Sequence, residues 1–407
     1  MFTIKGKYDE ATVFATNIEE EAISQIYTIL NHSVSENAHT RIMADAHAGK
    51  GCVIGYTAKV TDKVIPNLIG VDIGCGVSGV CLVNTINDLA EFDAKAHNYI
   101  PTGMSVYSSK RFIDSDNWDE KVYSFAYKNG IEEDFFDSLK EICERTNQDY
   151  DRVINSIGTL GGGNHFCEAG IDKNGKYWFF VHSGSRNFGL RVAEYWQDKA
   201  YKELNSHKEE IEFIKKNFVG KEIEERIKAL PKETKELSYL TGENVIGYLH
   251  DSEIAQKYAE LNRKMIIHRM FSEDEIDTFV QSTHNYIDVK NKIIRKGAIS
   301  AYEGEKVIIP LNMRDGCIFG IGKGNEEFNC SAPHGAGRKM SRSKAKAHIT
   351  LEEFSKSMKG IFSTCIVNST IDESPMAYKS KDDIIDNIKD TVEIKEIIKP
   401  IWNFKAT

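Results

Sequence analysis

Asp72 and Cys75 stand three residues apart in the string Gly-Val-Asp-Ile-Gly-Cys-Gly, directly after a mostly apolar stretch. Because glycine allows sharp turns and close approach of other atoms, this string can present a carboxylate and a thiol together at the end of a strand. Both groups bind metal ions. The pair therefore indicates part of a metal site, while a tight turn with a buried cysteine explains it equally well.

Three histidines in similar small or polar surroundings enlarge this candidate metal site. His165 follows three glycines and Asn164, His182 ends the strand-like run Tyr-Trp-Phe-Phe-Val, and His284 precedes Asn285. Together with the first pair they offer five ligands, which is more than one tetrahedral ion takes. Five ligands indicate two ions that share one ligand, and a thiolate can bridge. Ligand softness favours zinc, with manganese as the second choice, and paired ions recur in phosphoryl transfer.

A further string, Ser-Ala-Pro-His-Gly-Ala-Gly-Arg, places His334 among small residues, just ahead of a basic run at 338–346. Small neighbours leave room for a bulky reactant beside the imidazole, and the cations can compensate phosphate charge. Histidine serves as a covalent nucleophile, a base or a ligand, and the spacing does not choose among these roles. Arg186, close behind His182, is another candidate for holding an anionic group.

The composition limits the classes of protein to which the chain can belong. Its 407 residues are 41% hydrophobic and 28% charged, as in an ordinary globular protein. No apolar run approaches the ~20 residues of a membrane span, and the N-terminus lacks a secretory h-region. The cysteines form no CxxC pair, which indicates reduced thiols and a cytoplasmic location. The net charge of −9 argues against indiscriminate nucleic-acid binding but allows a local basic channel.

Strand-like and helix-like stretches alternate along the chain and must position these residues. Strands and glycine turns are predicted over 40–83, 156–189 and 287–328. Helices are predicted over 117–157, 191–280 and 351–400. Ser272 and Glu275 match a capping box and predict another helix start. Because the chemistry-bearing residues are spread along the chain without a flexible linker, the sequence predicts one α+β domain over 1–407. Its central β-sheets assemble the site, with a charged helical insertion at about 191–280 and a helical C-terminal tail.

In their order and spacing, these strings resemble those of the RtcB family of RNA ligases. The resemblance extends from the Met-Ala-Asp-Ala-His-Ala-Gly-Lys-Gly string at 43–51 to Lys405 and includes segments 295–298, 340–342 and 377–379. It implies a GTP-dependent ligase with two Mn²⁺ ions. Such an enzyme joins RNA 3′-phosphate or 2′,3′-cyclic phosphate ends to 5′-hydroxyl ends, in RNA splicing or repair. An archease-like activator is a further partner of this class, and no membrane partner is expected.

The resemblance also implies a role for each motif residue. His334 is the expected guanylylated nucleophile. One manganese ion is expected on Asp72, Cys75 and His165. The second is expected on Cys75, His182 and His284. Expected nucleotide contacts are Asn164, His165, Glu168, Asn285, Asn312, Met313, Cys317, Gly335, Ala336, Gly337, Tyr378 and Lys405. Expected RNA contacts are Arg186, Arg338 and Arg342.

Segment 310–317, Pro-Leu-Asn-Met-Arg-Asp-Gly-Cys, departs from the Gly-Ser-Met-Gly stretch and following serine of many family members. Leu311 lacks the backbone freedom of glycine, Asn312 replaces a small hydroxyl residue, and Cys317 stands near the serine position. Two other functions therefore stay open. One is a metal-dependent RNA cyclic phosphodiesterase without ligation, and the other is a non-catalytic RNA-end binder with salt-sensitive binding.

Overall fold

The computed structural model describes residues 1–16, 18–107 and 112–407, which form strands and helices in mixed order. Within these ranges the strands are β1 (Phe2–Lys5), β2 (Glu10–Val13), β3 (Arg41–His47), β4 (Ile54–Lys59), β5 (Lys63–Val64), β6 (Gly76–Leu82), β7 (Phe166–Ile171), β8 (Tyr177–Ser183), β9 (Leu240–Thr241), β10 (Ile276–Thr283), β11 (Asn285–Asp288), β12 (Ile293–Lys296), β13 (Ala298–Ser300), β14 (Lys306–Asn312), β15 (Gly316–Gly322), β16 (Ser331–Pro333) and β17 (Val392–Phe404).

The α-helices in the same ranges alternate with these strands. They are α1 (Glu20–Leu30), α2 (Leu89–Tyr99), α3 (Trp118–Lys128), α4 (Glu133–Arg145), α5 (Tyr150–Asn155), α6 (Arg186–Leu204), α7 (Lys208–Asn217), α8 (Lys221–Lys228), α9 (Glu243–Met270), α10 (Arg342–His348), α11 (Leu351–Ser357) and α12 (Lys381–Asn387). No helix in the described ranges is long and apolar enough to cross a membrane. The charged part of the predicted insertion forms α7 and α8, and α8 buries none of its residues.

Two large sheets contain most of the strands. The first sheet has the order β1-β2-β3-β4-β12-β11, and the second has the order β10-β6-β8-β7-β17-β15-β14. The pair β2–β3 is parallel, whereas the central pairs β6–β8 and β7–β8 of the second sheet are antiparallel. Antiparallel neighbours place the end of one strand beside the start of the next. Residues far apart in sequence therefore meet at one end of the second sheet.

The register of four neighbouring strands decides which residues meet at that end. Val77 in β6 and Phe166 in β7 both lie opposite His182 in β8. On the other side of β6, Gly76 lies opposite Thr283 in β10. His182 is itself a predicted metal ligand, and Cys75, His165 and His284 directly adjoin Gly76, Phe166 and Thr283, so the pairing of the sheet brings these four ligands together.

The 28-residue helix α9 packs across the second sheet and fixes the loops at this end. Arg263 is buried, and its Nη1 donates to the carbonyls of Gly74 and Ser183 at 2.9 and 3.0 Å. Asn262 is also buried; its Oδ1 accepts from the backbone N–H of Gly158 at 2.8 Å, and its Nδ2 donates to Gly184 O at 3.1 Å. Buried polar groups in native proteins are hydrogen-bonded, and the partners of Arg263 and Asn262 are loop backbone groups. These two side chains therefore hold the loops in place.

Two predictions of local structure are wrong. The helical tail predicted over 351–400 ends with α12, and residues 392–404 instead form β17, which pairs with β15 and β7. This segment is rich in isoleucine, a β-branched residue that favours strands, and tertiary pairing decides its conformation. The capping box is present, because the Glu275 carboxylate accepts from Ser272 N and Oγ. Only one 3₁₀ turn follows before β10, whose register with β6 overrides the helix signal.

Candidate active site

The five predicted metal ligands converge at one end of the second sheet. Cys75 immediately precedes β6, His165 precedes β7, His284 follows β10, and His182 lies in β8. Asp72 lies in the loop before Cys75, where Gly74 has φ +75°. A side chain at residue 74 would come within 2.8 Å of the α9 backbone, so glycine is required for the loop to pass this close.

The ligand atoms form two groups of three that share one thiol. The Nε2 atom of His165 lies 3.0 Å from Asp72 Oδ2 and 3.5 Å from Cys75 Sγ. The Nε2 atom of His182 lies 3.3 Å from Cys75 Sγ and 3.3 Å from His284 Nε2. In each group all ligand atoms lie within 4.8 Å of one another. Each group could hold one divalent first-row ion, and the Cys75 thiol is available to both groups.

The protonation states of these groups also suit metal binding. Burial lowers the pKa of both His182 and His284 well below the usual value, and neighbouring imidazoles lower it further. Both rings are therefore neutral, and each can offer a nitrogen lone pair to a metal ion. Burial and then the Asp72 charge raise the pKa of the Cys75 thiol well above its usual value. An ion must therefore displace the thiol proton on binding. The Nδ1 of His165 lies 3.0 Å from the Leu160 carbonyl, which leaves Nε2 as the ligand atom.

His334 stands beside this cluster and is oriented by a buried aspartate. Its ring centre lies 4.9 Å from that of His284. The Nδ1 atom donates to Asp45 Oδ2 at 2.7 Å, and the His334 backbone N–H donates to the same oxygen at 3.2 Å. Asp45 lies in β3 of the first sheet and is fully buried. Because Nδ1 carries the shared proton, the lone pair of Nε2 is free to react.

The turn after His334 closes directly over Asp45. Gly337 has φ +69°, and a Cβ at this position would lie 2.5 Å from the Asp45 carbonyl oxygen. Only glycine satisfies both conditions. The small residues after His334 therefore serve the Asp45 contact as well as leaving room for a reactant. The role of Asp45 was missed from the sequence, where its signal is a charged residue inside the apolar strand β3.

A cavity of about 770 Å³, its open mouth included, lies against His334. It is lined by nine of the expected nucleotide contacts: Asn164, Glu168, Asn312, Met313, Gly335, Ala336, Gly337, Tyr378 and Lys405. Two expected RNA contacts, Arg338 and Arg342, also line it. His47 of the 43–51 string and Phe166 also line it, together with Glu373 and Asn403, which the sequence did not single out.

Three other predicted contacts lie behind the cavity wall. Asn285 accepts a hydrogen bond from the Gly297 N–H through Oδ1 at 3.0 Å. The thiol of Cys317 donates to Glu168 Oε1 at 3.5 Å from a fully buried position. Arg186 donates to Thr159 Oγ1 and Gly103 O at 3.1 and 3.0 Å, with its guanidinium packed over Gly161. These residues support the site from outside the cavity.

Two buried carboxyl groups on the cavity wall differ in charge. Burial raises the pKa of Glu168 to about 8, so this group is mostly protonated at neutral pH. Burial also opposes ionisation of Glu373, but the nearby cations Lys405 and Arg342 outweigh it and lower its pKa to about 2. The wall therefore combines a neutral hydrogen-bond donor with a fixed carboxylate.

A family model described as tRNA-splicing ligase RtcB matches residues 27–406. The chain belongs to the RtcB family. RNA-splicing ligase RtcB of Escherichia coli (strain K12) is 31% identical over 389 residues, which cover 88% of this chain and 87% of that protein. The tRNA-splicing ligase RtcB of Aeropyrum pernix is 26% identical and covers 91% and 89%. The tRNA-splicing ligase RtcB of Methanococcus maripaludis is 26% identical and covers 92% and 89%. The family match and the mixed sheets confirm the predicted α+β, RtcB-like fold.

In this RtcB-family chain the unusual segment 310–317 is an ordered hairpin between β14 and β15. The Oδ1 of Asn312 accepts from the backbone N–H groups of Arg314 and Asp315 at 3.1 and 3.0 Å, and its Nδ2 donates to Asp315 Oδ2 at 2.8 Å. The carbonyl of Pro310 accepts from Ala336 N at 3.2 Å. Asn312 thus stabilises its own turn, and the hairpin is tied to the backbone beside His334.

Proposed function

We propose that this chain is an RNA ligase that joins 3′-phosphate or 2′,3′-cyclic phosphate ends to 5′-hydroxyl ends in RNA splicing or repair. GTP and manganese serve as cofactors, and guanylylated His334 is the intermediate. Relatives named RNA-splicing and tRNA-splicing ligases support this class. The mechanism rests on one observation, the Asp45–His334 pair at the cavity wall beside the cysteine-sharing ligand cluster.

His334 acts as the nucleophile through Nε2. This atom attacks the α-phosphorus of GTP, a phosphorus–nitrogen bond forms, and the bond to the bridging oxygen breaks as pyrophosphate leaves. Asp45 keeps Nδ1 protonated and stabilises the positive charge that the ring acquires. The adjacent residues 335–337 are small and leave room for the nucleotide.

Transfer to RNA then takes place in two further steps. An oxygen of the RNA 3′-phosphate attacks the phosphorus on His334, so the phosphorus–nitrogen bond breaks and a diphosphate forms. The 5′-hydroxyl oxygen attacks the RNA phosphorus of that diphosphate, its proton is lost, and GMP leaves. A cyclic end is first hydrolysed to the 3′-phosphate. Arg342 at the cavity mouth compensates the phosphate charge.

The two ligand groups fit two Mn²⁺ ions, one on Asp72, Cys75 and His165 and one on Cys75, His182 and His284. Bound there, the ions would neutralise phosphate charge and stabilise the charge that develops during transfer. The chain supplies neutral imidazoles and a shared thiol for this purpose. An archease-like activator and a cytoplasmic location belong to the same proposal, and the eight free cysteines suit a reducing compartment.

Self-labelling tests the proposal. Incubation with Mn²⁺ and α-labelled GTP should leave acid-labile label on the wild-type protein, and γ-labelled GTP should leave none. His334→Ala should abolish the label. Asp45→Asn should slow labelling by roughly a hundredfold, because the imidazole loses its negative partner.

The same protein samples separate the alternatives. Absence of label from metal-loaded wild-type protein, or persistent label in His334→Ala, contradicts the guanylyl-histidine mechanism. Conversion of cyclic ends to 3′-phosphates without GTP would then identify a phosphodiesterase. Salt-sensitive binding of RNA ends without any turnover would identify a binder.

A further inference from the structure

We propose that Glu373 is a positioning residue that holds Lys405, Tyr378 and Arg342 in place at the wall of the nucleotide cavity. The proposal rests on the proposed function only in taking that cavity as the GTP site. Glu373 ends the 3₁₀ turn Asn368–Glu373, and its side chain is 5% exposed. It lines the cavity at a point where residues 338–342, Tyr378 and Lys405 come together.

The Glu373 carboxylate binds four groups at once. Oε2 accepts from Tyr378 OH at 2.8 Å and lies 3.3 Å from Lys405 Nζ. Oε1 accepts from Arg342 Nη1 at 2.7 Å and from Arg338 Nη1 at 3.4 Å. All four partners line the same cavity. One carboxylate thus connects the expected nucleotide contacts with the expected RNA contacts.

Arg338 belongs to the supporting frame. Its side chain is 14% exposed. Nε donates to Met340 O at 3.2 Å, Nη1 donates to Tyr378 OH at 3.2 Å as well as to Glu373, and Nη2 donates to Asp372 O. Every nitrogen of its guanidinium has a protein partner. Arg338 therefore helps to fix the carboxylate, because four of its five N–H groups already donate to the protein.

Arg342 has the opposite character. Its side chain is 44% exposed, and only Nη1 contacts the carboxylates of Asp372 and Glu373. Its Nε and Nη2 have no hydrogen-bond partner within the described ranges and can form a fork toward a phosphate. The Glu373 contact sets the direction of that fork. Of the two predicted RNA-binding arginines that line the cavity, Arg338 and Arg342, it is Arg342 that has N–H groups left for a phosphate.

Lys405 depends most on the charge of Glu373. Its side chain is only 2% exposed, and its ammonium has two described hydrogen-bond partners, Glu373 and the Asn164 carbonyl. Without the carboxylate, a buried cation would remain beside two arginines. Removal of one partner from a buried ion pair leaves an uncompensated charge, so Lys405 would move away from this position. The nucleotide wall would then be misplaced although the Asp45–His334 pair is intact.

The decisive variant is Glu373→Gln, which keeps the size of the side chain and removes its charge. The equilibrium affinity of the full chain for GTP, measured by calorimetry, should fall at least tenfold. In self-labelling the KM for GTP should rise by the same factor, whereas the maximal rate should fall less than threefold. The matched control is Asp372→Asn, because Asp372 contacts Arg342 and Lys346 but not Lys405. Its GTP affinity should stay within twofold of wild type.

A purely structural role gives a different result. Glu373→Gln would then lower the active fraction and the midpoint of thermal unfolding, with the GTP affinity of the remaining folded protein unchanged. That outcome overturns the proposal, as does an equal loss of affinity in Asp372→Asn. If Glu373→Gln does not fold, the GTP affinity of Glu373→Asp tests the proposal instead. This variant keeps the negative charge on a shorter side chain. Unchanged GTP affinity in that variant also overturns the proposal.

The GTP-binding measurement is independent of the proposed chemistry. If wild-type protein binds GTP but is not labelled, the guanylyl-histidine mechanism fails. The role of Glu373 is still decided by the affinity ratio, which is the GTP affinity of wild type divided by that of Glu373→Gln. If wild-type protein is labelled and the affinity ratio is close to one, the role of Glu373 fails alone. If wild-type protein does not bind GTP at all, both proposals fail.

Discussion

Glu168 and Glu373 show how strongly one cavity can separate two chemically identical groups. Burial of Glu168 outweighs its hydrogen bond with the Cys317 thiol and the charge of Lys405, so its pKa rises to about 8. Glu373 is surrounded by cations and a phenol, so its pKa falls to about 2. A difference of this kind makes the stability of the protein depend on pH.

Replacement of Glu168 should remove one part of that pH dependence. The pKa of Glu168 is higher in the folded state than in the unfolded chain, so its stabilising contribution is complete below about pH 4.5 and is lost as the pH rises through about 8. Relative to wild type, Glu168→Gln should therefore gain free energy of unfolding between pH 5 and pH 8, on the order of 4 kcal/mol. Urea unfolding at both pH values measures the difference.

Glu373→Gln provides the comparison with opposite sign. The pKa of Glu373 is lower in the folded state, so its contribution is present above about pH 4.5 and is lost as the pH falls toward about 2. The stability deficit of this variant should shrink on acidification and stay constant between pH 5 and pH 8. A pH-independent difference between Glu168→Gln and wild type would contradict the assigned protonation state of Glu168.

Cys75 is the residue on which both proposed ion sites depend. Because its thiol belongs to both ligand groups, Cys75→Ala should remove both manganese ions from the reconstituted protein. His165→Ala affects only the group with Asp72 and should leave about one ion per chain. Elemental analysis after desalting measures the content, with His348→Ala on the exposed face of α10 as the control. Equal loss in the two ligand variants would contradict a shared ligand.

At the scale of elements, β17 joins the two halves of the second sheet. Its Trp402 is fully buried, meets Phe92 edge to face, stacks on Phe179, and donates from Nε1 to Asp93 Oδ1 at 2.8 Å. Trp402→Ala should lower the free energy of unfolding by about 3–5 kcal/mol. Ile246→Ala, at a 69% exposed position, should change it by less than about 0.5 kcal/mol. Denaturant unfolding measures both, and a small effect of Trp402→Ala would show that β17 is dispensable.

The elements also show how far the sequence could predict the structure. The predicted metal ligands stand in small or polar strings at strand ends, and this local pattern was enough to predict that they would lie together. The role of Asp45 could not be predicted, because its partner His334 is 289 residues away. Glu373 was missed for the same reason, since its charge state depends on Lys405 and Arg342 from other segments. The strand β17 was missed because the strands that decide its conformation, β7 and β15, lie elsewhere in the chain.

At the scale of the whole molecule, an acidic protein gathers several cations around one cavity. The net charge is −9, yet the cavity mouth carries Arg342 beside the basic start of α10. Binding of single-stranded RNA with a 3′-phosphate should therefore weaken with salt. Arg342→Ala should reduce the slope of log affinity against log salt by about 0.7.

Lys228→Ala is the matched control for this experiment. Lys228 is the last residue of the exposed helix α8, outside the cavity wall, so its replacement should leave the slope unchanged. Filter binding between 50 and 200 mM salt, the range over which phosphate contacts have large effects, measures both variants. Equal slopes for Arg342→Ala and wild type would place the RNA phosphates elsewhere.

The strand-end ligand cluster determines when the ion sites can form during folding. Its residues extend from Asp72 to His284 in sequence, and they meet only after β6, β7, β8 and β10 have paired. Closing such long loops is slow, because the chain loses conformational entropy before the stabilising non-local contacts can form. The unfolded chain therefore offers no preformed site. Ions that bind only after the sheet has formed would slow unfolding. They would lengthen the lifetime of the native state and leave the rate of folding unchanged.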